Sequence, residues 1–199
     1  MLMTDIPIDN EIRKKRRVEH GEQQELSCIG INPALQTNRL NMVAPNFNCS
    51  SVFNNEINRL QLSVLLSKHK AIVLFFYECD FAPSACNDLQ RINNHFDRFQ
   101  SLNTLPLAMS TDTEMVHMAF LNQSTLGFTP SFPLLSDTTR SVCRHFNVIN
   151  NETGLARRAA FIIDKTRQVR FSFVLEDDRI LHSMDTICAI VSFETNIFN

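Results

Sequence analysis

The sequence predicts one α/β domain built on a mixed β-sheet with helices on both faces, and three observations lead to this prediction. Residues 71–77 form a continuous apolar run rich in β-forming side chains, as is typical of a strand covered on both faces. Residues 87–102 carry apolar side chains at a period near 3.6, which predicts an amphipathic helix packed against that strand. Residues 159–163 and 169–175 predict two strands joined by a turn, and a terminal hairpin makes the sheet mixed.

The remaining elements follow from the same patterns. Residues 105–109 predict a strand, and residues 113–121 predict a helix for which Asp112 is the expected N-cap. Residues 141–146 predict a short helix, and residues 184–193 predict a final one. The chain has only four glycines, so we expect few turns with positive φ.

Composition excludes several classes of function. The formal net charge of −2 provides no general attraction to nucleic acid or to anionic lipid. The longest apolar run is far shorter than the ~18 residues of a membrane helix, so we expect a soluble protein.

The first thirty residues match neither a secretory signal nor a transit peptide, which predicts a cytoplasmic chain with free thiols. Cysteines and histidines show no metal-ligand spacing, so neither a metal nor another cofactor is expected.

The first 40 residues differ from the rest of the chain. They are rich in polar and charged side chains and show no sustained hydrophobic period, which predicts a mobile N-terminal arm before a folded domain over residues 41–199. The arm contains five consecutive basic residues, Arg13 to Arg17. Such a run is usually solvated charge, and nuclear import or contact with an acidic partner is the alternative interpretation.

Several motifs, in order and almost without gaps, resemble those of peroxiredoxins of the typical two-cysteine, alkyl-hydroperoxide-reductase-like branch. They are Ala44-Pro45-Asn46-Phe47, Phe75-Phe76-Tyr77, Asp80-Phe81, Ser110-Thr111-Asp112, Phe132-Pro133-Leu134-Leu135-Ser136-Asp137 and Arg158-Ala159-Ala160-Phe161-Ile162-Ile163-Asp164. The resemblance covers roughly residues 41–193 and implies a thioredoxin-like fold. It also implies the family's reaction, in which hydroperoxides are reduced with electrons from thioredoxin or a similar thiol.

The resemblance places a Pro-x-x-x-Thr-x-x-Cys motif on residues 78–85. In the family this motif, with a distant arginine, favours the thiolate that attacks the peroxide oxygen. The same hydrogen-bond donors polarise the O–O bond of the peroxide. Here Glu78 stands for the proline, Ala82 for the threonine and Ala85 for the peroxidatic cysteine. The resemblance also assigns Arg158 to the active-site arginine and Asp88 to its acidic partner, and it matches Leu181 to a second arginine.

Helix geometry gives an independent expectation about the thiols. At 100° per residue, Ala85 lies on the inward stripe of the predicted helix, and Cys86 lies about 100° away from it. We therefore expect Cys86, the displaced candidate thiol, to point toward the flank of the helix. Cys79 and Cys86 flank one turn, which permits a disulfide without requiring it.

Four further residues have an expected place. Cys143 and Cys188 lie on apolar helix patterns and are expected in the core. Cys28 and Cys49 have no evident partner, and His117 is expected to face solvent or to pack on a surface helix. The resemblance implies a resolving cysteine beyond the last helix, and no residue after that helix is a cysteine.

Three functions stay open at this point. The first is a thiol peroxidase in which Cys86, helped by Arg158, replaces the usual thiolate. The second is a catalytically inactive peroxiredoxin-like subunit. The resemblance implies dimers across a sheet edge and rings of dimers, so such a subunit would modulate an active paralogue or act as a scaffold or a holdase. The third is a nuclear or nucleic-acid-associated factor that uses the Arg13–Arg17 run.

Overall fold

The computed structural model describes residues 42–122, 126–174 and 180–197, all within one compact unit of the chain, residues 37–199. The predicted N-terminal arm, its basic run and Cys28 lie outside the described residues. The strands are β1 (Asn48–Phe53), β2 (Glu56–Gln61), β3 (Ala71–Phe76), β4 (Thr104–Ser110), β5 (Leu134–Ser136), β6 (Ala159–Asp164) and β7 (Val169–Val174). The helices are α1 (Leu62–Lys68), α2 (Pro83–Asn94), α3 (Phe96–Ser101), α4 (Glu114–Leu121), α5 (Ser141–His145) and α6 (Ile180–Ile197).

The strands form one sheet in the order β2-β1-β5-β4-β3-β6-β7. Strand β3 is parallel to β4, and β4 is parallel to β5, whereas the other neighbouring pairs are antiparallel. All six residues of β3 are buried, as the continuous apolar run predicts. The predicted mixed sheet and the terminal hairpin β6–β7 are confirmed.

Helices cover both faces of the sheet. On one face, side chains of α1 and α5 pack with Ile72, Leu74 and Phe76 of β3 in a single apolar core. Phe75 points to the opposite face, because alternate residues of a strand do so, and its ring meets that of Phe99 in α3. Helices α2, α4 and α6 also lie on this second face, which is the one that carries the candidate site.

The predicted long helix over residues 87–102 is two helices instead. At the break, the His95 ring lies 2.9 Å from the carbonyl oxygen of Arg91, and the His95 amide bonds the carbonyl of Ile92. A side chain that takes the carbonyl four residues earlier, together with a tightened last turn, ends an α-helix. The apolar stripe continues into α3, which is why its period extends across the break.

The predicted N-cap of α4 was wrong by one residue. Helix α4 begins at Glu114, and the Thr113 hydroxyl accepts a hydrogen bond from the Val116 amide at 3.3 Å. The Asp112 carboxylate instead accepts bonds from the Asp80 amide and the Ser110 hydroxyl. Asp112 therefore ties the end of β4 to the loop after β3.

The expectation of few positive φ angles was also wrong. Among the described residues, seven that are not glycine have positive φ: Asn54, Asn55, Phe81, Asn103, Arg140, Asn147 and Arg167. Asparagine tolerates this conformation because its short amide bonds locally, so four of the seven need no glycine.

Candidate functional site

The candidate site is built where β3 ends and α2 begins. Tyr77 is buried directly after the strand, the chain turns through Phe81 at φ +62°, and α2 begins at Pro83. Proline suits the first position of a helix because its ring fixes φ and its missing N–H has no helical partner there. The Phe81 ring is half-exposed and stacks edge-on against Phe120 of α4, with ring centres 5.2 Å apart.

Ala85 and Cys86 lie as the helical period predicts. Ala85 is only 1% exposed and shares the buried face of α2 with Asp88, Leu89 and Ile92. Cys86 is half-buried, at the edge of that face. The side chain buried in the first turn of α2 is therefore a methyl group, and the neighbouring thiol lies on the flank of the helix.

Arg158 and Asp88 form a two-point ion pair between β6 and α2. The guanidinium donates through Nε and Nη2 to both carboxylate oxygens, each at 2.7 Å. The Arg158 side chain is 12% exposed and the Asp88 side chain is 4% exposed. Because Asp88 lies one helical turn after Ala85, the pair and the Ala85 methyl group share one face of α2. The arginine and the acidic partner that the resemblance assigns are therefore in contact, and the side chain one turn before Asp88 is the methyl group of Ala85.

The loop before α2 carries negative charge next to its cysteine. Glu78 is exposed and accepts a hydrogen bond from the Ser84 hydroxyl at 3.4 Å. Burial raises the pKa of the half-buried Cys79 thiol, and the carboxylates of Asp112, Glu78 and Asp80 raise it further. A thiol with a raised pKa is mostly protonated near neutral pH and is a poor nucleophile.

A buried polar cluster, which the sequence did not predict, holds this loop. His117 is fully buried, so of the two expectations for it the solvent-facing one was wrong and the packing one was right. Its Nδ1 lies 2.7 Å from a carboxylate oxygen of Asp80, and its Nε2 lies 3.2 Å from the carbonyl oxygen of Leu135. The Tyr77 hydroxyl donates to the other oxygen of Asp80 at 2.8 Å. The one signal for this arrangement is the helical spacing of His117 and Phe120, which places both on the inward side of α4.

The same cluster keeps Tyr77 neutral. Burial raises the pKa of Tyr77 well above its ordinary value, and the charge of Asp80 raises it further. A neutral phenol donates its single proton, and here the acceptor is Asp80. The cluster therefore fixes the loop between β3 and α2 on the buried side of that loop. Its three side chains are bonded to one another, so it supplies no free nucleophile.

The other described cysteines lie away from this loop. Cys143 and Cys188 are buried, as predicted, and burial raises the pKa of both thiols. Burial and the nearby Asp137 raise the pKa of Cys49 to about 11. The five cysteines within the described ranges, including Cys79 and Cys86, are free thiols in this structure.

Three further findings bear on the predicted site. Leu181 lies in α6, but its side chain is not among those described. Within residues 42–122, 126–174 and 180–197, no three histidine, cysteine or acidic side chains come together in a way that would hold a metal ion. In the same ranges, no helix is both long enough and apolar enough to cross a membrane.

Comparison with known proteins gives consistent matches. The model of the AhpC/TSA family matches residues 40–172. The chain is 35% identical over 140 residues to a putative peroxiredoxin, ycf42, of Pyropia yezoensis, and the match covers 68% of each chain. It is 33% identical over 135 residues to the chloroplastic 2-Cys peroxiredoxin BAS1 of Spinacia oleracea, which covers 66% of this chain and 50% of that protein. This chain therefore spans about half the length of the spinach protein.

A solved structure supports the fold alone. The crystal structure of Enterococcus faecalis AhpC superposes with a TM-score of 0.72 at 24% sequence identity. The match covers 81% of this chain and 97% of the bacterial one.

Proposed function

Because the chain belongs to the peroxiredoxin family and has its thioredoxin-like fold, we propose that it acts as a catalytically inactive subunit of that family, by forming oligomers or binding partners. One observation carries the proposal. The side chain buried in the first turn of α2, on the face that bears the Asp88–Arg158 pair, is the methyl group of Ala85.

The neighbouring thiols do not replace the missing one. Fast peroxide reduction needs a thiolate beside a cation and hydrogen-bond donors. Cys79 has carboxylates around it and a raised pKa, so it is a poor source of thiolate. Ala82 and Glu78 supply no hydroxyl or proline ring at the positions where the resemblance expects them.

The surface best suited to self-association lies at β7. Among the described residues, β7 is the last strand of the sheet and pairs only with β6. Beside it, an apolar groove of about 480 Å³ runs between β7 and α6, lined by Phe171, Asp185, Thr186, Ala189, Ile190 and Phe193. Phe193 is 66% exposed. An unpaired strand edge next to an apolar groove suits a second copy of the chain, which pairs backbone to backbone and covers the groove.

The opposite edge of the sheet is less suited to this role. Strand β2 presents polar and charged side chains, and Arg59 donates to both the side chain and the backbone carbonyl of Asn48. Charged side chains on an edge strand discourage pairing with another chain.

Light scattering after size-exclusion chromatography tests the dimer. The wild type should have twice the monomer mass, and Phe193→Arg should have the monomer mass, because a charge on the rim of the groove loses its hydration on burial. The matched control is Val64→Arg, which places the same charge on an exposed apolar position of α1 and should leave the dimer intact. A monomeric wild type, or a dimer unaffected by Phe193→Arg, would contradict the proposed surface.

A second candidate function rests on Cys86. It is a half-exposed thiol in the first turn of a helix, where the helix dipole favours negative charge. In this alternative Cys86 is oxidised by a hydroperoxide to sulfenic acid, the peroxide leaves as alcohol or water, and a thioredoxin-like thiol reduces the enzyme again. Cys86→Ser should then abolish peroxide consumption and Cys79→Ser should not. Equal consumption by the wild type and Cys86→Ser removes this alternative.

We further propose a cytoplasmic location, which suits the five described cysteines that are free thiols in this structure. Nuclear import through the Arg13–Arg17 run is the alternative. A fluorescent fusion of the full chain should stay cytoplasmic. Nuclear accumulation that disappears when residues 1–40 are deleted would establish the alternative.

A further inference from the structure

A hollow of about 370 Å³ lies between α1 and the turn that joins β6 to β7. The end of β6 lies beside the start of β3, since Asp164 is paired with Ala71. Ala85 follows the other end of β3, and Arg158 precedes the other end of β6. The hollow is therefore at the end of the sheet opposite the candidate site and is not part of it.

The lining has the chemistry of an anion site. Two side chains are cationic and three carry hydroxyl groups, and of the six lining residues none is acidic: Ser63, Leu66, Ser67, Lys165, Thr166 and Arg167. The nearest carboxylate in the turn is that of Asp164. One of its oxygens accepts bonds from the amides of Thr166 and Gln168, and the other accepts from Arg170 at 2.6 Å. This negative charge is already paired, so the two cations leave the hollow positive.

The backbone of the turn gives a second, independent observation. Arg167 has φ +65°. This backbone conformation costs a residue with a Cβ atom about 1–2 kcal/mol, whereas glycine adopts it freely. Within the described part of the chain, its guanidinium makes one long hydrogen bond, 3.5 Å from Nη1 to the carbonyl oxygen of Ala44. The position favours glycine, yet it holds an arginine whose charge lies next to the hollow and is held by one long hydrogen bond among the described residues.

The size and the donors of the hollow select the occupant. A volume of about 370 Å³ lies within the range of small-molecule sites and is too small for a folded partner. A planar guanidinium binds two oxygens of a phosphate at once, and an ammonium group adds a point charge. The hydroxyls of Thr166 and Ser67 already donate to Asp164 and to the Val64 carbonyl oxygen, so of the three lining hydroxyls that of Ser63 supplies the further donor. The Ser63 amide already donates to the side chain of Asn46, so the side chains supply the donors. From these observations we propose that the hollow binds the phosphate group of a small molecule.

Isothermal titration of the full-length protein with inorganic phosphate and with pyrophosphate tests this site, with potassium chloride at equal ionic strength as reference. Both anions should bind saturably, with pyrophosphate tighter. Arg167→Gly should weaken binding by about tenfold or more, because a charge-assisted pair of hydrogen bonds is lost. Lys165→Ala should weaken it severalfold. The matched control, Arg157→Ala, removes an exposed arginine near the other end of the sheet and should leave binding unchanged.

The unliganded Arg167→Gly variant should melt no lower than the wild type, because glycine relieves the backbone at this φ. A loss of anion binding without a loss of stability separates a binding role from a structural one. The proposal is overturned if binding is not saturable, if Arg167→Gly binds as the wild type does, or if Arg157→Ala weakens binding equally. A phosphoserine peptide that binds more tightly than pyrophosphate would assign the phosphate to a protein partner and also overturn it.

Discussion

Asp88 and Arg158 show most clearly how individual side chains determine the properties of this site. Both are nearly closed to solvent, and each oxygen of the carboxylate receives a guanidinium nitrogen at 2.7 Å. An ion pair in such a place is strongly destabilised by removal of one partner, because the remaining charge stays buried without compensation. The pair therefore has a structural role that does not depend on peroxidase activity.

Asp88→Ala is expected to lower the free energy of unfolding by about 3 kcal/mol, measured by urea denaturation. The double variant Asp88→Ala/Arg158→Met should recover part of the loss, since it leaves no unpaired charge. The matched control is Glu152→Ala, which removes an exposed carboxylate outside the β7–α6 groove and should have little effect. Equal effects of Asp88→Ala and Glu152→Ala would show that the buried pair does not stabilise the fold.

Cys49 gives the fold a dependence on alkaline pH. Its pKa is about 11 in the fold against an ordinary 9.0, mainly because of burial and then because of Asp137. A thiol that holds its proton more tightly in the folded chain stabilises the fold fully below pH 9.0, and this contribution is lost as the pH rises through about 11.

Urea denaturation of the wild type and Cys49→Ala between pH 8 and 11 should therefore give curves of different slope. The wild type should lose more stability over this range than the variant, because the variant lacks one group that titrates differently in the two states. Parallel curves would mean that Cys49 titrates alike in the folded and unfolded chain.

Helix α4 links the candidate site to the sheet, since His117 contacts both Asp80 and Leu135. Its first turn is closed by the Thr113 hydroxyl. Thr113→Ala should cost about 1 kcal/mol of unfolding free energy, whereas Thr113→Ser keeps the cap and should cost little. If the two variants are equally stable, the hydroxyl does not act as a cap.

At the scale of elements, the apolar pattern predicted the elements from β3 onward except β5, whereas β1, β2 and α1 were not predicted. The run at residues 71–77 predicted a buried central strand, and β3 is buried throughout. The predictions failed where one polar side chain decides a boundary. The break at His95 depends on its bond to a backbone carbonyl, and the start of α4 depends on a choice between two adjacent capping residues. Hydrophobic period does not distinguish these alternatives.

The candidate site shows the same division. The period of α2 correctly predicted that Ala85 is buried and that Cys86 lies to one side. The Asp80–His117 contact was not predicted, because the two residues are 37 positions apart and meet only when α4 packs on the sheet. Contacts of this kind depend on tertiary packing, which local patterns do not contain.

For the whole molecule, the family implies peroxide reduction, whereas the side chains at the start of α2 do not provide the usual groups for it. The sheet order, the covering helices and the matched sequence make the chain a peroxiredoxin. The side chains around the start of α2 provide a methyl group, a carboxylate-bound arginine and a cysteine of raised pKa. The two surfaces proposed for interactions are the β7 edge with its groove and the positive hollow at the end of the sheet opposite the candidate site.

Stopped-flow measurement of hydrogen peroxide consumption by the reduced full-length protein tests this account most directly. The account predicts a rate no higher than that of an ordinary exposed thiol, with the same rate for Cys86→Ser. Rapid consumption that disappears in Cys86→Ser, with sulfenic acid located on residue 86 by mass spectrometry, would contradict it.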